Sequence, residues 1–187
     1  MDKKELQNPA LYTNRELSWL LFNKRVLSEA RDKQLLLFER LKFLSITASN
    51  LDEFFMVRIG SLVDMIHAEY TKKDIAGMSA KEQLDALMEE THKFAALQYS
   101  TYNRMLLPQL RANGLNFVEH HEQLTERQAQ YVDEYFEENV YPVLTPMAVD
   151  SSRPFPLIRN KTLNIGALVA KKGEKDTEIE FATVQVP

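Results

Sequence analysis

Thr13-Asn14-Arg15-Glu16-Leu17-Ser18-Trp19-Leu20-Leu21-Phe22-Asn23 opens a run that reads as one helix to about Asp32. Thr13 and Glu16 have the spacing of a capping box, in which each side chain satisfies a free backbone amide of the other's residue. At about 100° per residue, the apolar positions fall into two groups. Leu17, Leu20, Leu21 and Leu27 cluster on one side, and Trp19, Phe22, Val26 and Ala30 on the other. A surface helix buries one stripe, so this one is expected to be sandwiched, with its second face against another domain or subunit.

The segments that follow continue the helical theme. Leu36 to about Leu44 forms a second helical stretch, and Ile46-Thr47-Ala48-Ser49-Asn50 interrupts it with β-branched and cap-forming residues. A third helix is expected from Ser49 or Asn50 to about Tyr70, capped by Ser49 with Asp52 or by Asn50 with Glu53. Its buried stripe is Leu51, Phe54, Phe55, Ile59, Leu62, Met65 and Ile66. After a loop containing Gly77, Ser79 and Glu82 make a capping box for a long helix that ends near Leu107, ahead of Pro108. Four such segments make a compact helical bundle.

Beyond Gly114 the texture changes. Asn116-Phe117-Val118 reads as a short strand, and Thr125 with Gln128 caps a helix from about Glu126 to Tyr141. A proline-rich loop precedes a strand from Thr162 to Ala170, and a second strand runs from Ile179 to Val186. The fold class is therefore α+β: an all-α helical bundle, then a partial α/β region of strand, helix and strands. The expected domains are 1–110 and 111–187. One helix with three short strands leaves open edges, so the second region reads as cut short at Pro187.

Composition narrows the function. Of 187 residues, 44% are apolar and 27% charged, which suits a packed globular chain. A net charge of -4 gives no general attraction for nucleic acid or an anionic membrane. The absence of cysteine removes disulfides, thiolate metal sites and a cysteine nucleophile. No stretch approaches the roughly 18 apolar residues of a transmembrane helix. The charged N-terminus lacks the apolar run of a signal peptide, and a cytoplasmic protein is expected, compatible with peripheral membrane association.

Few residues suggest chemistry. None of the five glycines belongs to a phosphate-cradling GxxxxGK[ST] or GxGxxG loop. His67, His92, His120 and His121 read as surface residues rather than metal ligands. Arg58 falls on the apolar stripe of the third helix, where an arginine must pair, snorkel or meet an external anion; a buried pair with Glu16 or Glu29 is expected. Asn50 is either a helix cap or, if Ser49 caps instead, a free amide whose donor and acceptor suit the edge of an adenine. Arg153, Arg159 and Lys161 surround Pro154-Phe155-Pro156 and form either a polyanion-binding cluster or a solvated loop.

Several stretches resemble the polyphosphate kinase family of the first type. They are Asn14 to Leu20, Phe22-Asn23, Arg25-Val26-Leu27, Glu39 to Leu44 and Ser49 to Arg58. In the second region Tyr141 to Pro146, Asp150 to Pro156, Asn160 to Asn164 and Phe181 to Pro187 resemble that family's head domain. Arg153 departs from the pattern, since a histidine is common there.

The resemblance implies a four-domain enzyme that moves the terminal phosphate of ATP reversibly onto polyphosphate, through a phosphohistidine and with magnesium. It implies that the catalytic histidines and metal ligands lie in two C-terminal domains, so that this chain carries no catalytic residue, holds no Mg2+ or ATP alone and is inactive alone. It implies that Asn50 contacts the nucleotide base and that the head domain contributes to a homo-oligomer. ATP, ADP and inorganic polyphosphate are the implied partners, with no nucleic acid. A competing reading is a noncatalytic helical module that binds a protein partner.

Overall fold

Asn14, not Thr13, caps the first helix. Its Oδ1 accepts from the backbone N–H groups of Glu16 and Leu17 at 3.0 and 2.9 Å. Its Nδ2 donates to Asp74 and to Gln83 at 2.7 and 2.9 Å, so residues distant in sequence select it over its neighbour. The computed structural model describes residues 5–149, 155–170 and 179–187. They form two compact units that divide between Phe117 and Val118. The first unit is helical and the second carries the sheet, an α+β fold.

In the first unit, α1 spans Arg15–Arg31 and α2 spans Leu37–Phe54. A π-helical turn, Phe55–Ile59, joins α2 to α3, Gly60–His67. The expected break at Ile46–Asn50 is absent, and neither Ser49 nor Asn50 is a cap. Thr47 explains this. It is fully buried, its hydroxyl donates to the Leu44 carbonyl, and the same hydroxyl accepts from Gln98 Nε2 at 3.0 Å. Packing and bonding outweigh the small helix penalty of a β-branched residue.

The helix α4, Ala80–Thr101, starts at the expected Ser79–Glu82 capping box. It does not stop before Pro108. A second π-turn, Tyr102–Leu106, leads into α5, Leu107–Ala112. The wide turn lies where the proline ring would otherwise press on the preceding turn's carbonyl, and the helix continues past it. It ends at Gly114, whose φ of +83° only glycine adopts readily. Gly114 and Leu115 then donate backward to the Arg111 and Leu110 carbonyls, closing the helix as a Schellman turn.

The interior has two apolar clusters. Leu20, Phe54, Ile59, Leu62, Ala80 and Leu87 build one; Leu27, Ala30, Leu44, Phe94 and Leu106 build the other. The two expected stripes of α1 are in fact flanks of a single buried arc, Leu20, Asn23, Leu27 and Ala30. Leu21 and Phe22, one from each expected stripe, are exposed. Arg40 is also buried, with Nε donating to the Ala30 carbonyl and Nη1 to Gln109 Oε1, both at 3.1 Å. It thereby closes the C-terminal end of α1 with a positive charge.

In the second unit, α6 spans Glu126–Tyr135 behind the expected Thr125–Gln128 capping box, and a π-turn carries it to Val140. Strands β1, Met147–Val149, β2, Asn164–Val169, and β3, Glu180–Gln185, form an antiparallel sheet in the order β1-β3-β2. Gly166 faces Thr183 across the β2–β3 ladder. A Cβ on Gly166 would lie 2.8 Å from the Phe181 ring, which itself stacks on Phe155. Asn116–Val118 is not a strand, because none of the described residues pairs with it to complete a ladder. β1 falls within the expected proline-rich loop; it forms because β3 supplies its hydrogen bonds.

Candidate functional site

The first turn of α1 carries Arg15 and Glu16, and Ser18, Trp19 and Phe22 lie on the same side one and two turns further along. Asn50, Glu53, Phe54 and Val57 occupy matching positions on α2 and its π-turn, with Arg58 beside them. Together these ten residues line a cleft of about 530 Å3 between the two helices. Its wall is aromatic: the Trp19 ring stacks on Phe54 with centroids 4.3 Å apart. Arg15, Glu16, Glu53 and Arg58 give it two charges of each sign.

Asn50 sits within α2, one helical turn beyond Thr47. Its Nδ2 donates to Asn23 Oδ1 at 3.1 Å, and Asn23 Nδ2 donates to the Thr47 carbonyl at 3.1 Å. Asn23 is wholly buried, whereas Asn50 is half-buried and reaches the cleft. The Oδ1 of Asn50 accepts from none of the described residues, so this amide can offer an acceptor and its second N–H to a ligand.

Arg58 is not buried as expected. Its Nε lies 3.9 Å from Glu16 Oε2, and its side chain is 42% exposed. The π-turn adds one residue to the helical repeat, which rotates Arg58 off the apolar stripe to the cleft rim. Ile59 and Leu62 remain buried. Of its two proposed partners, Glu16 is the one it meets.

The remaining candidates stay apart. His67, His92, His120 and His121 are exposed. His92 Nδ1 contacts the Met88 carbonyl, and His121 lies 3.2 Å from Asp133. Among the described residues, no three His, Cys, Asp or Glu side chains converge as a metal site. Arg159 and Lys161 are exposed, and Arg153 lies outside the described residues. No helix of the described residues is long and apolar enough to cross a membrane. The clear pKa displacements belong to exposed α4 residues outside the cleft. Hydrogen bonds from Ser79 lower Glu82, and its ion pair with Lys93 lowers Glu90. Glu89 and Glu90 raise Lys93.

Asn23, Arg15 and Glu53 carry no expected site role from the sequence, where Arg15 and Asn23 stand only within motif stretches and Glu53 only as a capping partner of Asn50. For Asn23 a signal existed. Leu20, Asn23, Leu27 and Ala30 are spaced as successive core positions of one helix face, and a polar residue in such a series must find an internal partner.

Comparison with known proteins bears on both units. Residues 12–118 match the polyphosphate kinase N-terminal domain, and residues 127–187 match the polyphosphate kinase middle domain. A polyphosphate kinase of Lactiplantibacillus plantarum is 52% identical over 176 residues, covering 94% of this chain and 24% of that protein. One of Halalkalibacterium halodurans is 47% identical over 184 residues, covering 98% and 26% respectively. The crystal structure of polyphosphate kinase from Porphyromonas gingivalis superposes with a TM-score of 0.69 at 31% identity, covering 92% of this chain and 25% of that one. The chain thus spans about a quarter of the length of the relatives it matches.

Proposed function

The chain belongs to the polyphosphate kinase family, and from that premise we propose that it is the N-terminal part of an ATP:polyphosphate phosphotransferase. Residues 1–110 are then its N-terminal domain and 111–187 the beginning of its head domain. The cleft between α1 and α2 receives the nucleotide base, and Asn50 contacts it. The single observation that carries this reading is the Asn50 amide, fixed on one side by Asn23 and unbonded at Oδ1, in the wall of an aromatic-lined cleft.

An adenine edge offers an exocyclic amine next to a ring nitrogen acceptor. Asn50 Oδ1 accepts from the amine, and the remaining N–H donates to the ring nitrogen. Trp19 and Phe22 supply apolar surface for the base, with Phe54 backing the Trp19 ring. The base lies far from the transferred phosphate, so this contact binds and orients the nucleotide rather than taking part in phosphoryl transfer. The described residues do not fit a magnesium site, and no step through the metal is assigned to them. The phosphohistidine chemistry and magnesium belong, on this reading, to the family's other domains, and the chain alone makes no polyphosphate. The second unit contributes to a cytoplasmic homo-oligomer.

The test is Asn50→Ala in the full-length enzyme. Losing one or two hydrogen bonds worth about 0.5–1.5 kcal/mol each raises the Michaelis constant for ATP roughly 3-fold to 100-fold, with a smaller fall in turnover. An unchanged Michaelis constant removes Asn50 from the site.

A further inference from the structure

Resting on the reading of the cleft as the base site, we infer that buried Asn23 is a positioning residue that sets the base preference of Asn50, favouring adenine over guanine. The inference turns on the polarity of a short hydrogen-bond chain.

The chain begins at the Thr47 backbone carbonyl, which can only accept. Asn23 lies 3.1 Å from it and must therefore present its NH2 group. That choice leaves Asn23 Oδ1 facing Asn50, so Asn50 must turn its own NH2 group inward, across 3.1 Å. Asn23 cannot reverse without setting two acceptors against each other inside the protein. It is fully buried, so water cannot relieve such a conflict. Thr47 itself is held as well, since its hydroxyl donates to the Leu44 carbonyl and accepts from Gln98.

On the Watson–Crick edge, where adenine sets an amine beside an acceptor nitrogen and guanine sets a carbonyl beside an N–H, an unrestrained asparagine on a cleft wall serves either base by rotating its amide. Adenine carries an amine donor where guanine carries a carbonyl acceptor. With its NH2 group held by Asn23, Asn50 keeps Oδ1 as the acceptor it turns to the ligand. That matches the adenine amine and repels the guanine carbonyl. A carbonyl buried behind the cleft thus dictates, through two amides, which purine is read.

The test uses the full-length enzyme with ATP and GTP as phosphoryl donors, in the parent and in Asn50→Ala, Asn23→Leu and Asn50→Asp variants. Asn23→Leu is expected to lower the ATP-to-GTP ratio of kcat/KM by roughly tenfold, the weight of about one hydrogen bond, with the loss carried partly by a lower Michaelis constant for GTP. A merely structural role would weaken both donors alike. A ratio unchanged in Asn23→Leu overturns the inference. If in that case Asn50→Ala still raises the Michaelis constant for ATP, the base-site reading survives alone; if Asn50→Ala has no effect, both fall. Should Asn23→Leu fail to fold, thermal midpoints decide. Asn50→Asp places a carboxylate against Asn23 Oδ1 and is expected to melt below Asn50→Ala at neutral pH. An Asn50→Asp midpoint equal to or above that of Asn50→Ala shows that Asn23 is free to turn and overturns the inference.

Discussion

Trp19 lies flat against Phe54, with ring centroids 4.3 Å apart and planes 7° from parallel. Phe54 is 2% exposed and belongs to the core, while Trp19 is half-buried and belongs to the cleft wall. One contact therefore couples the packing of the bundle to the shape of the site. Truncating Phe54 removes a buried ring and leaves a cavity beneath Trp19. Phe54→Ala is expected to cost about 3–5 kcal/mol in urea unfolding, and Trp19→Ala distinctly less. Trp19 is the chain's single tryptophan, so its fluorescence reports directly on the cleft. Equal losses from the two variants would contradict this division between core and rim.

Arg58 meets Glu16 at the cleft rim, with the Arg58 side chain 42% exposed and the Glu16 side chain 14% exposed. Solvent reaches the pair from the Arg58 side, and at 3.9 Å it is at the long limit of an ion pair. Arg58→Met is expected to change unfolding stability by less than about 1 kcal/mol. A loss several times larger in the denaturation midpoint would return Arg58 to the interior.

Arg40 behaves differently. It is 2% exposed and bonds the Ala30 carbonyl and Gln109. Arg40→Met keeps much of the apolar stem but leaves those two acceptors unpaired. The expected loss is about 1–3 kcal/mol, measured by chemical unfolding. Arg40→Lys should restore little, because an ammonium cannot reproduce the forked reach to both partners.

Glu82 provides a pH-dependent contribution at the start of α4. The Ser79 N–H and hydroxyl donate to its carboxylate at 2.7 and 2.8 Å and hold its pKa below the ordinary value of 4.5. The unfolded chain therefore takes up this proton at a higher pH than the folded chain does. The stabilisation is fully present above 4.5 and is lost as pH falls through the lowered folded value. Comparing thermal midpoints of the parent and Glu82→Gln from pH 6 to pH 3 should show the gap closing on acidification. A gap that stays constant would assign the effect to something other than the carboxylate.

Local signals in the sequence were legible wherever a few neighbouring residues complete the interaction. The Ser79 and Thr125 boxes, the body of α4 and the strands around Asn164–Val169 and Glu180–Gln185 depend on short-range capping or alternation. The motif stretches likewise point to the family without any geometry. Other choices required partners from far along the chain. Asn14 outcompetes Thr13 because Asp74 and Gln83 hold its amide. Thr47 remains helical because Gln98 and burial favour it. Arg58 leaves the apolar stripe because a π-turn shifts the register. Asn50 was legible as a candidate only through its motif; composition left it undecided between cap and free amide. The fold puts it inside α2 and turns its NH2 group toward Asn23. Its orientation depends on a carbonyl three residues earlier and on an amide from another helix. Periodicity records which residues are apolar, but the direction of a buried hydrogen bond exists only once both partners are in place.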